Sequence, residues 1–297
     1  MPKKSNTDTL SRISKLLICV IVFLVAFIII LVTAINEENN NPIDTVRILD
    51  VGQGDSILIT SKGEAVLIDA STATKGMDIS KKLYKYGVSK LNALVITHPH
   101  SDHMGGVDYL LSEFEIDNIL ISNSLPKNEN EAKIYHDIKM TAYSLDIPIH
   151  NATAGMIINV GNFELTVLMS DETADNENDR SVIIMAENRG KKFLLMGDAE
   201  HSAEQKLIND NINFDCDVLK VGHHCSASTS SENFLNIATP KFATISVGAD
   251  NSYGHPANET LIRLQNAGCT VLRTDLYGDI TFTVDEDGIL NFAKEND

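Results

Sequence analysis

Thr97-His98-Pro99-His100-Ser101-Asp102-His103 sets four metal-ligating side chains within six positions, and Met104-Gly105-Gly106 follows at once. Isolated histidines are common in solvated loops, but a cluster of this density is not. Neutral imidazoles and a carboxylate suit zinc and related divalent first-row ions, and such an ion makes water a nucleophile near neutral pH. The preceding Leu91-Asn92-Ala93-Leu94-Val95-Ile96 is short, apolar and partly β-branched, which predicts a buried strand that ends at the cluster. The ligands then sit on a loop that a rigid scaffold can hold. Alternate residues His98 and His100 are expected to aim at one ion, and the adjacent Asp102 and His103 at a second. Hydrolysis assisted by two divalent metal ions is the chemistry this pattern predicts.

His-x-His-x-Asp-His after a strand resembles the second motif of the metallo-β-lactamase superfamily. Three further segments stand in that family's order: Val66-Leu67-Ile68-Asp69-Ala70, Phe193-Leu194-Leu195-Met196-Gly197-Asp198-Ala199-Glu200 and Val218-Leu219-Lys220-Val221-Gly222-His223-His224. The resemblance implies that Asp69 orients the metal loop, that Asp198 bridges both metals, and that a histidine of the last segment serves the second metal. If the strand continued through His223 and His224, the two could not face the same way, and the sequence leaves open which is the ligand. Asp50-Val51-Gly52-Gln53-Gly54-Asp55-Ser56, Tyr253-Gly254-His255-Pro256, and Arg273-Thr274-Asp275 with Gly278 narrow the match. With them, residues 46–293 resemble the C-terminal hydrolase domain of ComEC-type DNA-uptake proteins. That resemblance implies a four-layer αββα sandwich and a phosphodiester substrate, DNA or RNA, with Asp55 and Asp69 standing behind the ligands.

Two departures bear on the chemistry. Cys225 stands where most relatives have glycine after the double histidine. Asn178-Asp179-Arg180-Ser181-Val182 stands where many superfamily members place a third-motif histidine, which the ComEC-like subgroup also lacks. The first metal would then be held by His98, His100 and Asp198, with a position left open. A looser, oxygen-tolerant site makes manganese a rival to zinc. Asn178 or Asp179 could add an oxygen ligand, or the polar run 175–179 could be a surface turn. Catalytic roles are expected for Asp102, for His224 or its neighbour, and for His255 as a partner for phosphate or leaving group. Lys220 and Arg180 are the nearest cations in sequence and could neutralise an anionic substrate or be ordinary surface charges. His136, His150 and His201 stand alone among polar neighbours and read as surface residues.

The other end of the chain addresses location. Residues 16–35 are uncharged and nearly all apolar, long enough to cross a bilayer as a helix. Lys3, Lys4, Arg12 and Lys15 precede this run, while Glu37, Glu38 and Asp44 follow it. The positive-inside rule then predicts a cytoplasmic tail (1–15), a single membrane anchor (16–35), a polar linker (36–42) and an extracytoplasmic domain (43–297). The alternative is a signal peptide cleaved near Val32-Thr33-Ala34, giving a secreted protein. Cys216, Cys225 and Cys269 have no regular spacing, so a disulfide scaffold is not expected.

Residues 43–297 suffice for one domain with a large core. Strand-like runs recur at 46–51, 55–60, 65–69, 91–97, 116–121, 163–169, 181–186, 192–196, 216–221, 241–247, 270–273 and 279–284, with amphipathic helical stretches near 76–87, 130–143, 200–208 and 257–267. The formal net charge of −17 argues against extended binding of a polyanion. Lys75, Lys81, Lys82, Lys85 and Lys90 form the one local basic concentration and read as the solvated face of a helix.

Overall fold

The computed structural model describes Leu17, residues 20–28, Ile30 and residues 43–296. The expected tail 1–15, the linker 36–42 and part of the expected span 16–35 lie outside the described residues. The chain divides into two compact units, Met1–Pro42 and Ile43–Asp297. In the first, the described residues are helical, and the apolar side chains of Leu17, residues 20–25, Phe27 and Ile28 are exposed. Among the described residues no helix is long and apolar enough to cross a membrane.

In the second unit the architecture follows from alternation along strands that are buried on both faces. In Glu64–Ile68, Val66 and Ile68 point into one cluster of buried side chains, and Ala65 and Leu67 into another. Ala93–Ile96 repeats the pattern, with Ala93 and Val95 on the first side and Leu94 and Ile96 on the second. Such near-continuous apolar strands occur where a sheet is covered on both sides. They lie in an eight-stranded sheet ordered Leu290–Lys294, Ile280–Val284, Asp44–Ile48, Ile57–Ser61, Glu64–Ile68, Ala93–Ile96, Ile119–Ile121 and Ile149–Asn151. A seven-stranded sheet runs Thr270–Arg273, Phe242–Ile245, Val218–Lys220, Lys191–Leu195, Ile183–Asn188, Phe163–Met169 and Ile157–Val160.

The two sheets share the central core: Ile184, Ala186, Phe193 and Val218 of the second meet Val46, Ile59 and Val66 of the first. The helices Gly76–Lys85, Val107–Glu113 and Glu129–Ser144 seal the outer face of the first sheet through Ile79, Leu83, Leu110, Ile138 and Ala142. His201–Asn209, Glu232–Ala238 and Asn258–Asn266 seal the second through Ala203, Leu207, Phe234, Leu235 and Leu264. This is the expected αββα order.

Two features differ from expectation. The run 91–97 is not one strand: Lys90–Leu91 pairs with Glu115–Ile116, and the main strand starts at Ala93. Asn92 causes the break, its Oδ1 accepting the Ala65 N–H at 3.0 Å. The edge strands Ile149–Asn151, Ile157–Val160 and Leu290–Lys294 were not expected, because each is short and at least half of its side chains face solvent in part.

Glu64–Ile68 and Ala93–Ile96 run parallel, as do Lys191–Leu195, Val218–Lys220 and Phe242–Ile245. The loops leaving the C-terminal ends of these strands carry Asp69, His98 to His103, Asp198, His223–His224 and His255. All the motifs singled out in the sequence therefore meet at one edge of the sandwich, where open α/β sheets characteristically bind ligands.

Candidate metal centre

The site is assembled from the first sheet outward. Asp69 follows its strand directly and adopts φ 61°. Its carboxylate accepts the Thr97 N–H at 2.8 Å, the Thr97 hydroxyl at 2.7 Å and the His103 Nδ1–H at 2.7 Å. One buried acid thus fixes both the start and the end of the histidine cluster. Between them Ser101–Met104 forms a single helical turn, with the His103 N–H on the His100 carbonyl at 3.0 Å. The turn packs too closely for side chains, since a Cβ at Gly106 would lie 2.3 Å from the Ala70 carbonyl oxygen.

The imidazoles share one arrangement. His98 Nδ1 lies 3.2 Å from Thr97 Oγ1 and 3.3 Å from Ser181 Oγ, His103 Nδ1 donates to Asp69, and His224 Nδ1 donates to the Ser246 carbonyl at 3.0 Å. The opposite nitrogens, Nε2 of His98, His103 and His224, are buried without a hydrogen-bond partner, and so is Oδ1 of Asp198. Buried polar atoms are ordinarily paired. Asp198 stands among them: Oδ1 is 3.2 Å from His103 Nε2 and 3.7 Å from His224 Nε2, and Oδ2 is 3.9 Å from Nε2 of both His98 and His223. Asp102 Oδ2 lies 3.4 Å from His224 Nε2. One nitrogen anchored and the other converging without a partner is how metal-bound histidines are held. The residues present fit divalent metal ions, in groups such as His98, His103 and Asp198, or Asp102, His103 and His224.

His223 and His224 both face this centre, because the premise that separated them does not hold. The strand ends at Lys220, and His223, His224 and Cys225 take φ 42°, 50° and 65° in a left-handed turn. His223 Nδ1 donates to Glu200 Oε1 at 2.6 Å, leaving Nε2 toward Asp198. Glu200, to which the sequence reading gave no role, is the orienting acid of His223 as Asp69 is of His103. Its one sequence signal is a position two residues past Asp198.

Three expectations are corrected. Lys220 is fully buried and does not reach the cavity; its Nζ pairs with Asp55 Oδ2 at 2.8 Å and donates to the Val221 carbonyl at 3.0 Å. Asp55 in turn lies 3.5 Å from His224 Nδ1, so the pair stands behind that histidine. Asp179 is not a surface turn: it is buried, and Oδ1 accepts the N–H groups of Glu200 at 2.8 Å and Ala203 at 3.3 Å, at the start of helix His201–Asn209. Asn178 is also buried, donating to Glu200 at 3.3 Å, with its Oδ1 unpaired. Arg180 is tied down through Nε to the Ala174 carbonyl at 2.6 Å.

Burial opposes every charge here, and the neighbours decide the outcome. Burial, reinforced by His103, pushes the His98 pKa well down. For His103 and His224 burial is outweighed by Asp198, with Asp69 and Asp102 adding to it respectively, and both are raised. Burial would raise Asp198, yet His103 and His224 hold it well below the usual carboxylate range. Burial, then His223 and His224, lower His255. The centre opens into a cavity of about 220 Å³ lined by Gln53, His100, Asp102, Glu131, Tyr253 and His255, among others, and among the described residues no lysine or arginine lines it.

Comparison with known proteins agrees with this arrangement. The family model described as the metallo-beta-lactamase superfamily matches residues 49–249. "ComE operon protein 3" of Bacillus subtilis is 29% identical over 257 residues, covering 80% of this chain and 32% of that protein. "Competence protein ComA" of Neisseria gonorrhoeae is 29% identical over 246 residues, covering 82% and 33%. The chain therefore spans about a third of the length of these relatives. Among solved structures, the metallo-beta-lactamase fold protein YhfI of Bacillus subtilis superposes with a TM-score of 0.52 at 12% identity, covering 85% of this chain and 100% of that one, a likeness of fold alone.

Proposed function

Because the chain belongs to the metallo-β-lactamase superfamily, we propose that it is a metal-dependent phosphodiesterase that cleaves nucleic acid, DNA or RNA, at the outer face of the cell membrane. The observation that carries the reading is the set of buried ligating atoms around Asp198, each unpaired on the side facing the others and anchored on the side facing away. His98, His100 and His223 would hold one divalent ion and Asp102, His103 and His224 the second, with Asp198 between them. His223 then takes the place that a third-motif histidine would fill. Such ions, zinc or manganese, supply Lewis acidity that makes water a nucleophile and offsets charge developing at phosphorus.

The chain's own groups do the rest. Asp69, Glu200 and the Ser246 carbonyl keep three imidazoles aimed at the centre, so no reorganisation is needed as charge develops. His255, on the cavity wall 5.5 Å from the His223 ring, is placed to exchange a proton with a substrate oxygen. The resemblance of residues 46–293 to ComEC-type DNA-uptake proteins supports nucleic acid as the substrate class. Among the described residues no lysine or arginine lines the cavity wall, which favours one second reading, a small or cell-envelope phosphoester. The exposed apolar side chains of Leu17 and residues 20–25 support an anchor within 16–35, and the basic residues before it with the acidic ones after it support a catalytic domain outside.

The test compares the full chain, loaded with manganese or zinc, with an Asp198→Ala/His100→Ala double variant on single-stranded DNA, RNA and bis-nitrophenyl phosphate. Metal-dependent cleavage of nucleic acid that the variant loses supports a nuclease. Cleavage of the small diester alone moves the assignment to the second reading, and two bound metals without turnover would leave a metal-binding module. Membrane fractionation and sequencing of the mature N-terminus separate an anchored from a secreted protein.

A further inference from the structure

We propose that Tyr253 is a stacking subsite for a nucleobase beside the scissile phosphodiester, an inference that rests on the phosphodiesterase reading above. The cavity of about 220 Å³ is walled largely by polar and charged side chains, which suit a phosphodiester group better than the nucleosides on either side of it. Those then leave along the rim. No lysine or arginine among the described residues lines the cavity itself, so the handle its wall offers beyond the phosphodiester is the π face of a base.

Tyr253 lies on that rim and is 69% exposed, and it is the sole tyrosine, phenylalanine or tryptophan lining the cavity among the described residues. Its ring is nearly parallel to that of His255, 13° between planes and 6.1 Å between centroids, so it carries on the orientation of the His255 ring away from the centre. The segment that presents it is fixed from within. Asn251 Oδ1 accepts the N–H groups of Tyr253 and His255, both at 3.1 Å, and its Nδ2 donates to the carbonyls of Gly248 at 3.0 Å and His255 at 2.6 Å. Gln53 ties the same segment to the loop behind the metal cluster through the Gly248 N–H at 3.3 Å. A loop braced by four bonds from a single side chain presents the exposed aromatic from a preorganised backbone. Stacking tolerates any base, and it requires a base that is not already stacked in a duplex, so the subsite selects single strands.

The experiment uses the full, manganese-loaded chain and two substrates with the same leaving group, a thymidine p-nitrophenyl phosphodiester and methyl p-nitrophenyl phosphate. Tyr253→Ala is expected to raise KM for the thymidine ester by about tenfold more than for the methyl ester, while Tyr253→Phe keeps the wild-type ratio of the two. An equal effect of Tyr253→Ala on both esters, or none on either, overturns the subsite. Failure to hydrolyse either ester overturns the phosphodiesterase reading instead, and a second readout then decides the subsite without turnover. The chain has no tryptophan, so Tyr253→Trp provides a single indole at the rim. With zinc bound, quenching of its emission by a thymidine dinucleotide but not by dimethyl phosphate supports stacking, and unchanged emission on titration with the dinucleotide refutes it.

Discussion

His223 and His224 differ in what stands behind them, and that difference separates their expected losses. His223 is about a quarter exposed and leans on Glu200, whereas His224 is buried against the Ser246 carbonyl with Asp55 behind it. We expect His223→Ala to weaken the ion next to His98 and His100, and His224→Ala the ion next to Asp102 and His103, each variant falling from two metal equivalents to about one. Metal content after gel filtration checks this, and an unchanged content in either variant would remove that residue from the ligand set. The buried Asp55–Lys220 pair makes a different prediction. Removing one partner strands the other's charge at a site with no exposure, so Asp55→Ala or Lys220→Ala should each cost about 3–5 kcal/mol, while the double variant costs less than their sum. Urea denaturation of the full chain measures the cycle, and additive costs would show that the pair is not coupled. The histidine cluster could be read from sequence because its members are contiguous. The pairing of Lys220 with Asp55 could not, because a lysine beside a ligand in sequence carries no sign of whether it faces substrate or core.

Elements were legible where apolar residues recur at a strand or helix period. Phe163–Met169 and Thr270–Arg273 coincide with the expected strands, and helix Glu129–Ser144 extends the expected 130–143 by one residue at each end. Short helices such as Val107–Glu113, which follows the Gly105-Gly106 pair, left too few turns for a period to show. Contacts between elements were not legible at all, and two of them carry predictions. A Cβ at Gly54, where φ is +115°, would lie 2.5 Å from the Asp102 carbonyl oxygen and 2.6 Å from Ser71 Oγ. Gly54→Ala should therefore displace the turn that carries Asp102, lowering stability by about 3 kcal/mol and weakening metal retention with it. Wild-type melting and metal content in that variant would refute the close approach.

Asp44 joins the sheets, accepting Ser61 Oγ from its own sheet and Asn162 Nδ2 at 2.9 Å and Arg189 from the other. Burial alone would raise its pKa, but these bonds and Asn188 hold it below the ordinary value. A carboxyl whose pKa is depressed by folding stabilises fully above its unfolded value of about 3.9, and loses that contribution as pH falls through the lower folded value. Asp44→Ala should cost about 2–3 kcal/mol at neutral pH. The gap to wild type should then narrow below about pH 4. A gap that stays constant in urea midpoints taken across that range would assign the loss to packing instead.

At the scale of the molecule, charge decides how a nucleic acid could be held. The formal net charge is −17, and the one basic concentration in the sequence is spent on internal pairs. Lys75 and Lys81 face Asp78, Lys82 meets Asp279 at 2.7 Å, Lys85 meets Glu295, and Lys90 lies 2.8 Å from both Glu115 and Asp117. None of these side chains lines the cavity. A protein that tracks a strand through many Lys–phosphate contacts releases one counterion per contact, and its affinity falls steeply with salt. Here a single phosphodiester at the metal centre and one stacked base would carry the affinity, so only one or two phosphates are neutralised. The slope of log affinity for single-stranded DNA against log salt should then be no steeper than about −1.5, so that a fourfold rise in salt costs less than about tenfold. Reversing Lys82, Lys85 and Lys90 to glutamate should leave that slope unchanged. Fluorescence anisotropy with the metal-loaded His255→Ala variant, which keeps every proposed ligand, across a salt series with the metal concentration held fixed, measures both quantities. A slope near −5 would mean that a basic track grips the strand outside the cavity, and a slope that falls on Lys→Glu reversal would place that track on helix Gly76–Lys85.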